Sequence, residues 1–291
     1  MNDKNKSHDS ERDSSIEANA DGNNEPNQAN SNVFDTSVIN RCGAEQSVYW
    51  LIAAKKTVFS DPLQWLSAMA MLMFIIIFSS ALQTIGQFFF MATSYVWLAG
   101  LLNGCHQAVN SGRFTSLALF SGFKQSSLSS LIILSVLIGV INTSILMYFL
   151  ADFYQELIPY AGNQQQLQAY INDNIERFTR PLLTALFYVL PVFVTSLLVA
   201  GVLVFGNNRL LNAIVISIKA VAINIIPLVL WLLMITMSYL LMTFVLLLGP
   251  LGVLVFPILM LYLLAIFTAS IYQMLLSMFG RKPESRDRLI V

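Results

Sequence analysis

Ala54-Lys-Lys-Thr-Val-Phe-Ser-Asp-Pro-Leu-Gln-Trp65 is the stretch in which a polar segment gives way to a long apolar run. Lysines suit lipid headgroups, a proline can turn the chain between two helices, and tryptophan is enriched at membrane interfaces. The stretch Lys219-Ala-Val-Ala-Ile-Asn-Ile-Ile-Pro-Leu-Val-Leu-Trp231 places a lysine, a Pro-Leu pair and a tryptophan ahead of another apolar run. Both stretches predict that the chain enters a membrane there.

The composition predicts lipid as the solvent for most of the chain. Of the 291 residues, 56% are hydrophobic and only 11% are charged, against about 25% charged in ordinary globular domains. No acidic residue lies between Asp61 and Asp152, or between Glu176 and Glu284. The two cysteines, Cys42 and Cys105, have no metal-type spacing and are interpreted as free thiols. No signal-peptide pattern opens the chain, so the first span is expected to direct insertion.

The segment ahead of the first span is predicted to have a tail and a surface helix. Residues 1–45 are rich in Asn, Asp, Ser, Glu and Gln and are expected to be disordered. Residues 46–60 place Trp50, Leu51, Ala54 and Val58 on one helical face, which suits an amphipathic helix in the headgroup layer. The next helix is expected to start with an Asp61 N-cap, Pro62 at its first position and Gln64 as capping-box partner, with Trp65 in the aromatic belt.

Spanning about 30 Å of hydrocarbon takes roughly 20 helical residues. Six apolar runs satisfy this length, at about 64–84, 88–108, 127–150, 181–205, 222–248 and 251–278. We therefore predict an all-α membrane protein with a transmembrane domain over 46–279 and a basic C-terminal tail over 280–291. Short turns at Gln83-Thr-Ile-Gly-Gln87 and Gly249-Pro-Leu-Gly252 predict helical hairpins, whereas 109–126 and 151–180 are longer polar connections.

The basic residues predict the orientation of the spans. A cytoplasmic N-terminus leaves only Arg177 and Arg180 outside. The inside then receives Lys55, Lys56, Arg113, Lys124, Arg209, Lys219, Arg281, Lys282, Arg286 and Arg288. Because the number of spans is even, the C-terminus is expected to be cytoplasmic too.

A weak parallel repeat relates spans 1–2 to spans 5–6. Aligning Pro62 with Pro227 brings Gly86 within one residue of Gly252 and places Tyr95 close to Leu261. Each copy consists of a basic helix, a proline, a tryptophan, a span, a short turn and a second span. The copies are expected to be related by rotation about an axis near the membrane normal.

Few polar groups in the spans are candidates for chemistry. The amides are Gln83, Gln87, Asn103, Asn142, Asn224 and Gln273. They are suited either to lining a path for a neutral solute or, more commonly, to hydrogen bonds between helices. Gly100 and Gly104 form a small-xxx-small pattern for close packing, and Pro191 and Pro257 are expected to kink their spans.

His106 follows Cys105 near the end of the second span, and a neighbouring Cys-His pair raises the question of a metal or a nucleophile. Adjacent helical residues diverge too far to hold one ion, and the only other histidine is His8 in the tail. We therefore interpret His106 as an ordinary interfacial residue, and we assign no catalytic, cofactor-binding or metal-binding residues.

The external carboxylates lie in the connection 151–180. Asp152 with Glu156, and Asp173 with Glu176, are spaced to share helix faces. Paired-carboxylate catalysis and calcium binding are alternatives, but the spacing is unlike that of a calcium loop. A solvated loop helix with Arg177 as ionic partner is the preferred interpretation. Phosphate loops, dinucleotide fingerprints and nucleophile elbows are absent from the sequence.

The segment Trp97-Leu-Ala-Gly-Leu-Leu-Asn-Gly-Cys-His106, with Gly112-Arg-Phe and Leu119-Phe-Ser-Gly-Phe123 after it, resembles a family of Gram-negative inner-membrane proteins without an assigned function. The resemblance covers about residues 46–279, and the Asn-rich tail is not part of it. It implies a six-helix fold in the bacterial inner membrane and supplies no catalytic residue, substrate or cofactor.

Three functional hypotheses follow. The leading one is a non-enzymatic scaffold, assembly factor or envelope regulator, without a cofactor, that contacts the bilayer and a membrane-protein partner or a second copy, and binds no nucleic acid. The runner-up is a permease or channel for a neutral or lipophilic solute, motivated by the repeat and the prolines. A membrane-embedded enzyme is third. A stable stoichiometric partner would favour the first, and a polar cavity at the bilayer midplane the second.

Overall fold

The computed structural model describes residues 34–160, 162–206 and 208–280. Within these ranges the chain is almost entirely helical, and the only strand-like pairing is one antiparallel bridge between Phe34 and Gly280. The helices are α1 (Gln46–Ser60), α2 (Pro62–Ala81), α3 (Gln83–Ser111), α4 (Leu128–Leu157), α5 (Gln164–Asp173), α6 (Ile175–Phe205), α7 (Leu210–Ile223), α8 (Ile225–Thr243) and α9 (Pro250–Phe279). Shorter 3₁₀ helices occupy Ser116–Lys124, Ile158–Tyr160 and Phe244–Leu248.

The prediction of six long apolar helices is confirmed. Those long and apolar enough to cross a membrane are Pro62–Ala81, Gln83–Ser111, Leu128–Tyr160, Ile175–Phe205, Ile225–Leu248 and Pro250–Phe279. Each corresponds to one predicted run. These six helices indicate a multi-pass membrane protein.

The two short turns are tighter than their sequences suggested. The predicted turn at residues 83–87 is reduced to the junction at Leu82, because α3 already begins at Gln83, whose φ is 52°. At the second turn Gly249 has a φ of 65°, a backbone conformation that favours glycine. Both turns make the neighbouring long helices antiparallel.

The centre of the bundle consists of α3 and α9. Helix α3 packs against α2, α4, α6 and α9, and α9 also contacts α1, α2 and α8. The 3₁₀ helix Ser116–Lys124 lies along α3, where Gly100 permits close approach, so the small-residue motif is used against this short helix. Pro191 and Pro257 lie inside α6 and α9, each of which continues past its proline.

Helix α1 does not place its apolar stripe toward lipid headgroups. Trp50, Ala54 and Val58 are fully buried against the protein, chiefly on α9. Trp50 donates a hydrogen bond from Nε1 to Oγ of Ser277, at 2.9 Å. The stripe was correctly placed on one helix face, but that face contacts another helix rather than the bilayer.

The elbow at Asp61 also differs in detail from the expected capping box. Pro62 occupies the first turn of α2 as predicted, but the Asp61 side chain makes no capping hydrogen bond. Gln64 instead accepts a hydrogen bond from the backbone nitrogen of Ser116, at 3.1 Å. Trp65 is fully buried and stacks on Phe114, with ring centroids 3.8 Å apart. It is therefore packed inside the protein and is not a member of an interfacial aromatic belt.

Residues 34–42, which we call the strap, belong to the folded part although the sequence placed them in the polar tail. Backbone hydrogen bonds join Asp35 N to Phe279 O at 2.7 Å and Asn40 N to Met278 O at 2.9 Å. The folded part therefore includes these residues. The remainder of the predicted tail, residues 1–33, and the C-terminal residues 281–291 lie outside the described ranges.

Candidate functional site at the strap end of the bundle

The strap lies across the ends of α3, α6 and α9, which we call the strap end; the opposite end, with the connection 151–180, is the loop end. Helices α3, α6 and α9 all end at the strap end, because Phe34 contacts His106, Phe205 and Tyr272, which lie within the last two turns or so of these helices. Their last turns therefore lie side by side. Phe34, which is 6% exposed, contacts all three.

An aromatic cluster surrounds Phe34. Its ring stacks on Phe205 of α6, with centroids 4.6 Å apart and planes within 10°. Tyr272 of α9 presents an edge at 6.1 Å, and His106 of α3 lies at 6.5 Å. Aromatic pairs with these separations add to the free energy of burial beyond area alone.

A chain of polar groups lies beneath the Phe34 ring. His106 Nδ1 is 2.8 Å from Tyr272 Oη, and His106 Nε2 is 3.0 Å from Asn110 Nδ2. An amide nitrogen only donates, so in this arrangement Nε2 accepts and Nδ1 carries the proton that it donates to Tyr272. His106 is thus 8% exposed and bridges two helices instead of lying at the interface, as the sequence had suggested.

Asn224 holds the other end of the strap. This fully buried residue, between α7 and α8, accepts a hydrogen bond at Oδ1 from Cys42 N (2.7 Å) and donates from Nδ2 to Asn40 O (3.2 Å). Burial raises the pKa of the Cys42 thiol, and the nearby Glu45 carboxylate raises it further. Cys42 and Cys105 are both free cysteines, as predicted.

The other predicted amides do not form one site. Asn103 donates to Ser121 at 3.4 Å, and Gln83 and Gln87 are exposed. Asn142 Oδ1 is buried without a hydrogen-bond partner, and Gln273 is 8% exposed. None of these amides is hydrogen-bonded to another of the set in the described ranges, whereas Asn224 follows the common use in interhelical bonding.

At the loop end, Glu156 pairs with groups of the same connection. Glu156 forms a 2.5 Å ion pair with Arg177, the predicted partner, and accepts a hydrogen bond from Tyr170 Oη at 2.8 Å. The hydrogen bond to Glu156 raises the pKa of Tyr170. Among the residues described, no group of three or more His, Cys, Asp or Glu side chains is placed to hold a metal ion.

Two apolar grooves run along the outside of the long helices. The larger, about 910 Å³, lies between α2 and α3 and is lined by residues that include Phe74, Phe78, Phe89 and Trp97. The smaller, about 480 Å³, lies between α6 and α8 beside Pro191 and Leu228. Both are grooves in surfaces of the candidate spans.

Sequence reasoning missed Phe34, Phe205 and Tyr272. Phe34 carried a usable signal, because it is the only aromatic residue among the first 45 and is followed by Val38 and Ile39. Phe205 and Tyr272 lie in apolar runs where aromatic residues are common, so nothing local distinguished them. Comparisons with protein families, curated proteins and solved structures found no match to this chain.

Proposed function

We propose that this protein is a non-enzymatic scaffold, assembly factor or envelope regulator of the bacterial inner membrane. The observation that carries the proposal is that several polar side chains inside the bundle are hydrogen-bonded between helices while large apolar surfaces face outward. Tyr95 Oη bonds to Ser196 Oγ, His106 to Tyr272, and Trp231 Nε1 to Ser270 at 2.9 Å. Groups engaged in this way hold helices together rather than face a substrate.

An outward apolar surface surrounds the turn between α8 and α9. Leu241, Phe244, Leu247, Leu248, Leu251, Val253 and Leu254 are between 62% and 80% exposed. In a membrane these side chains contact lipid or the spans of another protein. A second copy or a different membrane protein is the partner that this surface fits.

A photo-crosslinking experiment tests the scaffold proposal. A photoreactive phenylalanine analogue at Leu247, which is 80% exposed, should yield a discrete protein adduct in membranes, and purification should recover the adduct in stoichiometric amount. The matched position is Ile133 on α4, which is 56% exposed and should yield lipid adducts alone. Lipid adducts alone at both positions would remove the basis for a partner at this surface.

The alternative function is a permease or channel for a neutral or lipophilic solute. It is supported by the groove between α6 and α8, because the groove lies beside Pro191 and is lined almost wholly by apolar side chains. The test is the binding of a fluorescent lipophilic probe to the purified protein. Loss of binding on substitution of Leu232 or Val229, which line this groove, would favour the alternative.

Charge distribution supports an orientation with both termini in the cytoplasm. Arg41, Arg113, Arg209 and Lys219 lie in or next to the segments that form the strap end, and Lys55, Lys56 and Lys124 lie on the segments that precede α2 and α4. The loop end has Arg177 and Arg180, together with Asp152, Glu156, Asp173 and Glu176. Basic residues accumulate on the cytoplasmic side of short loops.

We expect a single cysteine at Gln165, in a background where Cys42 and Cys105 are serine, to react with a membrane-impermeant thiol reagent in intact spheroplasts. Gln165 lies in α5 at the loop end and is exposed. A cysteine at Arg113, which is exposed and lies just after the end of α3, is the control and should react only after permeabilisation. The reverse labelling pattern would contradict the orientation.

We further propose that α1 is held at the membrane surface by Lys55 and Lys56. Both lysines are exposed, and Lys55 Nζ lies 5.9 Å from the centroid of the Phe59 ring. Each contributes on the order of 1 kcal/mol near anionic lipid. Changing both to Glu should lower the amount of correctly inserted protein, as measured in isolated membranes, whereas changing Lys4 and Lys6 to Glu should not. Equal amounts from the two double variants would exclude the anchoring role.

The parallel repeat remains part of the proposal, with a shift of one residue after the prolines. This shift aligns Trp65 with Trp231, Gly86 with Gly252 and His106 with Tyr272. A Cβ on Gly86 would lie 1.9 Å from Ser79 O, and one on Gly252 would lie 2.0 Å from Val245 O, in each case seven residues earlier. The aligned pair His106 and Tyr272 bond to each other, as equivalent residues do near a two-fold axis. Poor superposition of 62–106 on 227–272 in an experimental structure would contradict the repeat.

A further inference from the structure

Phe34 is the buried hydrophobic side chain of the strap, Ile39 and Cys42 are partly buried against the core, and Val38 is 57% exposed. Hydrogen bonds to Phe279, Met278, Gly280, Asn208 and Asn224 add to these contacts. Segments with few buried apolar contacts open at lower free energy than the helices beneath them.

The recess beneath Phe34 has a polar floor. His106 is 8% exposed and Tyr272 1% exposed, and each has polar atoms that water can bond. Water that entered an entirely apolar recess would make no hydrogen bonds to the protein. Water that reaches His106 and Tyr272 can hydrogen-bond to both side chains in place of their present partners. Withdrawal of Phe34 therefore leaves no polar group unpaired.

We propose that residues 34–42 are a releasable strap, whose Phe34 closes the recess between α3, α6 and α9 and whose withdrawal admits water to the His106–Tyr272 pair. The strap fills the recess with Phe34 and also joins the ends of α6, α7 and α9 through its hydrogen bonds. It does not depend on the identity of a partner, and so it stands apart from the scaffold proposal.

Cys105 provides a native reporter for the recess. It is fully buried, it belongs to the same hydrophobic core as Phe34 and Tyr272, and it directly precedes His106 on α3. In a Cys42→Ser background, its reaction with N-ethylmaleimide in detergent micelles reports opening of the strap end. The extent of reaction is read by mass spectrometry of the peptide that contains Cys105.

We expect Phe34→Ala to increase the labelling rate of Cys105 by at least about ten-fold, because removal of a buried aromatic side chain favours the open state. Val38→Ala is the matched control in the same strap and should label at the rate of the Cys42→Ser parent. Amide hydrogen exchange of residues 34–42 should accelerate in the first variant and not in the second. Equal labelling rates in the two variants would overturn the proposal.

A second variant tests the strap without removal of Phe34. Thr36 Oγ1 and Asn208 Nδ2 are 3.0 Å apart, so the double substitution Thr36→Cys and Asn208→Cys, in the Cys42→Ser background, replaces both partners of this contact with cysteine. Oxidation should lock the strap and slow labelling of Cys105 relative to the reduced form of the same protein. Unchanged labelling after verified oxidation would show that the strap does not control access, even if Phe34→Ala fails to fold.

Discussion

Replacing Gly100 with alanine is expected to cause a large loss of stability, on the order of 3 kcal/mol or more, because the added methyl group has no space. Its Cβ would lie 2.0 Å from the carbonyl oxygen of Leu119 and 2.7 Å from its carbonyl carbon. Both atoms belong to the backbone, so no side-chain rotation relieves the clash. Helix α3 and the 3₁₀ helix Ser116–Lys124 would have to separate.

Gly122 lies on the 3₁₀ helix and contacts the backbone of α3 at the same interface. A Cβ there would lie 1.9 Å from Val96 O and 3.0 Å from Gly100 N, so Gly122→Ala should be similarly destabilising. The double variant should lose less than the sum of the single losses, because the first substitution already opens the interface that the second would disturb.

Thermal unfolding in detergent, followed by circular dichroism, measures both effects. Gly162→Ala is the matched control, since a Cβ at Gly162 would meet no atom within 4 Å. It should unfold at the temperature of the parent protein. Unfolding of Gly100→Ala at that same temperature would mean that α3 and the 3₁₀ helix are not in close contact.

The long helices were predictable because length and apolar composition are local properties of the sequence. Each of the six predicted runs overlaps one observed helix, and the boundary errors are a few residues at most positions. The larger errors are at residues 151–160 and 175–180, where α4 and α6 extend beyond the bilayer-length core. Polar residues such as Asp152 and Arg177 marked those ends as loops, although helices continue through them.

The strap was not predictable from composition, because averaging over residues 1–45 conceals one aromatic residue. Phe34 gains its role only when the ends of α3, α6 and α9 come together, and those ends are more than 60 residues apart in the sequence. Asn224 presents the same difficulty. Its partners, Cys42 N and Asn40 O, lie more than 180 residues away and have no sequence signature.

The partner of α1 was not predictable for a different reason. An apolar stripe on a helix has the same spacing whether it faces lipid or another helix. The stripe with Trp50, Ala54 and Val58 therefore identified a buried face without identifying what covers it. The structure supplies α9, with Ser277 beneath the indole of Trp50.

Trp50→Ala is accordingly expected to destabilise the bundle by about 3–5 kcal/mol, the usual loss when a fully buried tryptophan is truncated. The indole is 0% exposed and donates to Ser277 Oγ at 2.9 Å. Tyr49→Ala is the control on the same helix, because Tyr49 is 55% exposed and surface substitutions usually change stability by less than about 0.5 kcal/mol.

A double-mutant cycle separates packing on α9 from anchoring in lipid. Trp50→Phe keeps an aromatic ring but removes the N–H donor, and Ser277→Ala removes its acceptor. If the two side chains are bonded, the cycle should give a coupling of about 1 kcal/mol in the free energy of unfolding. A stripe that faced headgroups would instead give additive losses, because Trp50 and Ser277 would share no contact. Additivity, together with equal stability of Trp50→Ala and Tyr49→Ala, would mean that the Trp50 stripe faces lipid and that α9 is not its partner.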